Sequence, residues 1–144
     1  MEFQKILAEL REKKYSPVYF LEGEEPYYID LISDYILDNV LSEGEKAFNQ
    51  TLLYGKDITI DTILTAARRY PMMADRQVVV VREAQNIRDI DELASYVENP
   101  TPSTLLVFCY KYKTIDKRKK LYKAIQKNAV YLESKPLFEN QVPK

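Results

Sequence analysis

Two kinds of apolar pattern alternate along the chain. Phe3, Ile6, Leu7 and Leu10 recur at the spacing of one helix face. Ser16-Pro17 interrupts them, and Val18-Tyr19-Phe20-Leu21 follows without alternation, as a strand buried on both faces does. After the turn Glu22-Gly23-Glu24-Glu25, Pro26 suits the first turn of a second helix, where its missing N–H costs nothing. Glu24 and Glu25 suit the positive end of that helix dipole. Tyr28, Leu31, Ile32, Tyr35, Ile36 and Val40 predict its inner stripe, and Asp30, Asp34 and Asp38 predict a solvated acidic row.

Phe48 to Tyr54 reads as a second strand closed by Gly55. Thr59 is a good N-cap for the next helix, with Ile60, Ile63, Leu64 and Ala67 inward and an end near Tyr70, before Pro71. Val78 to Val81 is a third, fully covered strand. A helix from about Asp89 turns Ile90, Leu93, Ala94 and Val97 inward and is stopped by Asn99-Pro100-Thr101-Pro102. Leu105 to Tyr110 forms a fourth strand, Asp116 caps a basic helix reaching Asn128 with Leu121 and Ile125 inward, and Val130-Tyr131-Leu132 is a fifth strand. The tail PLFENQVPK is expected to be extended. Strands alternating with helices argue for a parallel, doubly wound α/β sheet in a single domain.

Composition narrows the chemistry. With 144 residues, 46% hydrophobic and 30% charged, the chain can bury a full core as a soluble domain. No apolar run nears the roughly 20 residues that span a bilayer, and the N-terminus lacks the pattern of a signal peptide. The single Cys109 leaves no disulfide within the chain and points to the cytoplasm. There is no histidine, which removes the commonest general base and the commonest metal ligand. The net charge of −1 hides an asymmetry: residues 1–60 carry 6 basic and 12 acidic groups, residues 111–144 carry 10 and 3.

A phosphate site in such a sheet would lie at the first strand-to-helix turn. Here LEGEEPYY offers only Gly23, places Glu24 and Glu25 where phosphate would sit, and loses a donor at Pro26. It has neither the second glycine nor the lysine that phosphate-cradling loops use. After the valine strand, Arg82 precedes Glu83, which reads as a structural salt link rather than a magnesium site. No metal, cofactor or catalytic group is expected. Two features remain. The boundary Tyr70-Pro71-Met72-Met73 is greasy where turns are usually polar; it either folds back to fill a gap in the core or anchors a partner protein. The segment Lys111 to Lys127 holds eight basic residues, with Lys117, Arg118, Lys119 and Lys120 in the first turn of its helix and Tyr110, Tyr112 and Tyr122 interleaved. It is either a solvated face or a phosphate-driven contact with DNA.

The ordered stretches PVYFLEGEEPYYID, YGKDITIDTILTAARRYPMMADRQVVVVREAQ and ELASYVENPTPSTLLVFCYKYKTIDKRKKLYKAI resemble, over essentially the whole chain, the bacterial DNA polymerase III delta subunit of the Bacteroidetes kind. The resemblance implies an AAA+-like domain of the P-loop NTPase class, with a five-stranded parallel sheet and a degenerate, non-binding phosphate loop at Gly23, Glu24, Glu25 and Pro26. It also implies the first of three domains, with a lid and a collar to follow, in a subunit that opens the sliding clamp (beta) without hydrolysing ATP. Its other partners would be the gamma/tau and delta prime subunits and, indirectly, primed DNA. Clamp-binding side chains at the tip of the helix before the third strand carry over to Tyr70, Met72 and Met73.

Overall fold

A computed structural model describes residues 2–136. The expected extended tail beyond Pro136 lies outside the described residues.

Helix α1 (Glu2–Arg11) buries Ile6 and Leu10. It ends as Lys13 adopts φ 62, with the Lys14 N–H donating to Glu9 O at 2.9 Å and the Lys13 N–H to Leu10 O at 3.0 Å. This is a Schellman close made without glycine. Strands β1 (Val18–Gly23), β2 (Gln50–Tyr54), β3 (Gln77–Arg82), β4 (Thr104–Lys111) and β5 (Val130–Glu133) are joined by α2 (Pro26–Asn39), α3 (Glu43–Asn49), α4 (Ile60–Ala67), α5 (Ala94–Glu98) and α6 (Lys120–Asn128). All strand pairs are parallel, in the order β2-β3-β4-β1-β5.

The unbroken apolar runs divide between two cores because successive strand residues point to opposite faces. Val79 and Val81, Val18 and Phe20, and Leu106 and Phe108 pack under α4, α5 and α6. Val78 and Val80, Tyr19 and Leu21, and Leu105 and Val107 pack under α1 and α2. Covering on both faces is why these strands carry no polar alternation.

Several expectations shift, among them the helix expected from about Asp89, which is a 3-10 turn over Ile90–Leu93 before α5 begins at Ala94. The second strand begins at Gln50, not Phe48, because α3 precedes it; the Ser42 N–H donates to the Glu45 carboxylate at 2.9 Å, a capping pattern present in the sequence as Ser42-x-x-Glu45. In α2 the buried stripe is Ile29, Ile32, Ser33 and Ile36, while Leu31 is exposed; the stripe is turned by the demand that α2 lie over β4, β3 and β1. The acidic row is not merely solvated: Asp30 pairs with Lys111 at 2.6 Å and Asp34 with Arg82 at 3.0 Å, tying α2 to the ends of β4 and β3. Helix α6 starts at Lys120, since Asp116 instead closes a turn on Arg118, and Asp91 caps α6 by accepting from the Leu121 N–H at 2.9 Å.

Candidate functional site

Strand β3 is preceded by the greasy boundary, and the structure shows why it stands out from the core. Helix α4 stops at Ala67 rather than near Tyr70. Gln77, only 2% exposed, places its amide nitrogen 2.9 Å from Ala66 O, 2.8 Å from Arg69 O and 2.9 Å from Thr104 Oγ1. Thr104 Oγ1 in turn donates to Ala67 O at 2.7 Å. The last carbonyls of α4, which no further helical turn can satisfy, are thus taken up by the first side chains of β3 and β4.

From there the chain is tethered again. Asn49, the 2% exposed end of α3, accepts from the Met72 N–H at 2.7 Å and donates to Met72 O at 2.9 Å. The Arg69 guanidinium reaches Thr51 Oγ1 at 3.2 Å, and Arg76 lies 4.8 Å over the Tyr15 ring. Met73 is held at φ 55, a conformation costly for a residue with a Cβ. With its backbone fastened, the loop turns its large side chains outward: Tyr70 is 86% exposed, Met72 60% and Met73 100%. These do not fill a gap in the core. Neither Asn49 nor Gln77 was legible in the sequence; each is an ordinary polar residue until the fold sets it beside the loop.

At the other end of the sheet lies the turn that would cradle phosphate. Gly23 has φ 126, and a Cβ on it would lie 2.1 Å from Ser134 O. Its freedom serves close packing against the chain leaving β5. The Glu25 N–H donates to Ser134 O at 3.3 Å, and the Tyr27 N–H donates to the Glu25 carboxylate at 3.1 Å. Ser134 Oγ donates to Glu25 O at 2.6 Å. Two backbone donors of this turn, the Glu25 and Tyr27 N–H groups, are thereby turned onto the protein itself. Next to this turn, Glu22 is fully buried. Its carboxylate accepts from the Ile115 N–H at 2.8 Å and from the Tyr131 hydroxyl. Burial pushes its pKa above the usual carboxylate value, against the opposing effect of these two donors. The same burial, with Glu22 alongside, pushes the Tyr131 hydroxyl up as well. Arg82 salt-links to Asp34 rather than to its neighbour Glu83. No group of three acids or cysteines with metal-binding geometry occurs among the described residues.

The basic segment also emerges on this C-terminal edge. Lys117, Arg118 and Lys119 lie in the turn before α6 and Lys120 is its first residue, all four exposed. Arg118 grips Asp116, holding that carboxyl down at about 2. Of the interleaved tyrosines, only Tyr112 is exposed. Tyr110 is in the core, and Tyr122 packs edge-on to Tyr131 at 5.9 Å; the expected row of stacking platforms is absent among them. Because every strand runs the same way, the Tyr70–Met73 loop and the basic turn sit at opposite ends of the sheet.

Residues 19–135 match the family described as DNA polymerase III, delta subunit. DNA polymerase III subunit delta of Bacillus subtilis is 29% identical over 142 residues, covering 92% of this chain and 41% of its own length. The solved structure of the B. subtilis DNA clamp loader delta protein superposes with a TM-score of 0.82 at 27% identity, over 94% of this chain and 43% of that one. A DNA polymerase III gamma subunit-related protein from Thermotoga maritima gives 0.55 at 15% identity, over 97% of this chain and 47% of that one, a likeness of fold alone. The chain spans about two-fifths of the length of the curated relative it matches.

Proposed function

The chain belongs to the DNA polymerase III delta-subunit family, and we propose that it forms the part of such a subunit that grips the sliding clamp and biases the ring toward opening. The observation that carries this reading is the tethered loop with Tyr70, Met72 and Met73 turned to solvent. Large apolar side chains on a fastened backbone give contact area with little left to order on binding. Each thioether or ring that passes from water into an apolar pocket contributes roughly 1.5–3 kcal/mol. Where the bound geometry misfits the closed ring, that energy shifts the ring's population toward its open form, and no chemical step is needed. A subunit acting in this way needs no nucleotide of its own, in keeping with the inward-turned donors of the Gly23-Glu24-Glu25-Pro26 turn. Its work would be in the cytoplasm, beside the gamma/tau and delta prime subunits and primed DNA.

Calorimetric titration with the sliding clamp of the same organism tests the reading, using the wild type and Met72→Ala/Met73→Ala. The double substitution removes two largely exposed side chains, so folding stability should hold within about 0.5 kcal/mol. Affinity should fall by roughly 30-fold or more, since about 2–5 kcal/mol of burial is lost. Equal binding by both proteins removes the loop from the interface. No binding by the wild type at tens of micromolar removes the function.

A second reading has one observation of its own: Lys117, Arg118, Lys119 and Lys120 are all exposed on one edge. As a contact with DNA it would be phosphate-driven, with affinity falling steeply as salt rises.

A further inference from the structure

Among the described residues, the backbone of Met72, in the loop that carries Tyr70, Met72 and Met73, is bonded to the rest of the protein by one buried side-chain amide. Asn49 accepts from the Met72 N–H at 2.7 Å and donates to Met72 O at 2.9 Å. Its second amide hydrogen goes to Glu45 O at 3.0 Å, in the turn of α3 just before it. All of its bonding capacity toward the loop is therefore used, at a site 2% exposed, 23 residues away in sequence from the residue it holds. An asparagine side chain reproduces the donor and acceptor of a peptide group, so Met72 is gripped as though a strand had paired with it. The neighbouring Met73, with its φ of 55, lies between this grip and the start of β3, where the Gln77 N–H donates to Ser103 O at 2.9 Å. Strained backbone of that sort persists only where the surroundings over-determine it.

We propose that Asn49 is the positioning residue of the docking loop: its amide holds Met72 and Met73 in their clamp-engaging geometry before the partner arrives. The inference rests on the clamp-gripping reading above. Without the pair, the loop would have to be ordered at the moment of binding, and affinity would drop although every contacting side chain remained. Asn49 itself, buried, would touch no partner. Phe48, its neighbour on α3 and 68% exposed, adds apolar surface beside the same tether.

The test compares wild type, Asn49→Ala and Asn49→Ser. Serine can still bond the carbonyl one helical turn back and protects the end of α3 should alanine unfold the domain, but it cannot reach both groups of Met72. Amide hydrogen exchange should show the Met72 N–H losing its protection while the amides of β3 and β4 keep theirs. Clamp affinity should fall about tenfold, the scale of two buried hydrogen bonds. In a Met73→Ala background the Asn49 substitution should weaken binding by clearly less than it does alone, because the side chain it positions has gone. Loss of Met72 protection with unchanged affinity overturns the inference, as does weakened affinity with Met72 still protected, or a full additive loss in the Met73→Ala background. A wild type that does not bind the clamp overturns the functional reading, and this inference with it.

Discussion

Gln77 offers the sharpest test of how the sheet holds the end of α4. Replacing it with methionine keeps the length and nearly the volume of the side chain, so the cavity contribution is small. What changes is polar. The amide nitrogen stands 2.8 Å from Arg69 O and 2.9 Å from both Ala66 O and Thr104 Oγ1, within a site 2% exposed. Its two hydrogens contribute about 1 kcal/mol each as net hydrogen bonds, and a buried acceptor left without a partner costs about 1–3 kcal/mol. Ala67 O keeps Thr104 Oγ1, Ala66 O keeps the Arg69 N–H at 3.4 Å, and Arg69 is exposed enough for its carbonyl to meet water. The expected loss is therefore about 2 kcal/mol, that of the two net hydrogen bonds. In urea denaturation this lowers the midpoint by about 1 M without changing the slope, and in a thermal melt it costs roughly 6–8 °C. Thr104→Val added to Gln77→Met should cost less than the two separate losses together, because both side chains serve the same carbonyls. A midpoint within about 0.3 M of wild type would refute the claim that this amide is what ends α4.

Two further outcomes follow from the buried edge. Glu22 has its pKa raised by burial, so between the ordinary carboxylate value and the raised one the unfolded chain has lost a proton that the folded chain retains, and stability falls as pH rises through that window. Relative to wild type, Glu22→Gln, which keeps an acceptor for the Ile115 N–H, should therefore become more stable as pH rises from 4.5, the ordinary value, toward 7; a constant difference in denaturation midpoint across that range would contradict the burial argument. Gly23→Ala places a Cβ 2.1 Å from the backbone of Ser134 at φ 126, so it should cost at least about 3 kcal/mol, and a near-neutral result would show that the end of β5 is not packed against this turn.

The two-sided runs at Val18–Leu21, Val78–Val81 and Leu105–Tyr110 were legible because a strand covered on both faces is filled mainly by apolar residues. The Thr59 cap was legible because its chemistry is local, and its side chain accepts from the Thr62 N–H at 3.3 Å. The cap on α6 was not, since Asp91 arrives from a segment some thirty residues earlier. Helix α3 was hidden for another reason: Phe48 looked like the start of a strand, and its exposure follows from the helix that Ser42 and Glu45 begin. Similarly, Leu31 fits the helical period of α2 as well as Ile29 does, and only the position of α2 over the sheet chooses between them.

Local covalent and steric rules, read along the chain, determined that five apolar runs become parallel strands, that acids and a proline fill the turn after the first strand, and that Tyr70, Met72 and Met73 sit at a boundary. Those rules act over a few residues and need no knowledge of neighbours in space. Whether the boundary residues fold inward or face water was decided by Asn49 and Gln77, and whether the acids of α2 stay solvated was decided by Lys111 and Arg82. Each of those outcomes depends on a hydrogen bond or ion pair between groups far apart in sequence, and such a pairing has no energy until the sheet has assembled and brought the two within about 3 Å of one another.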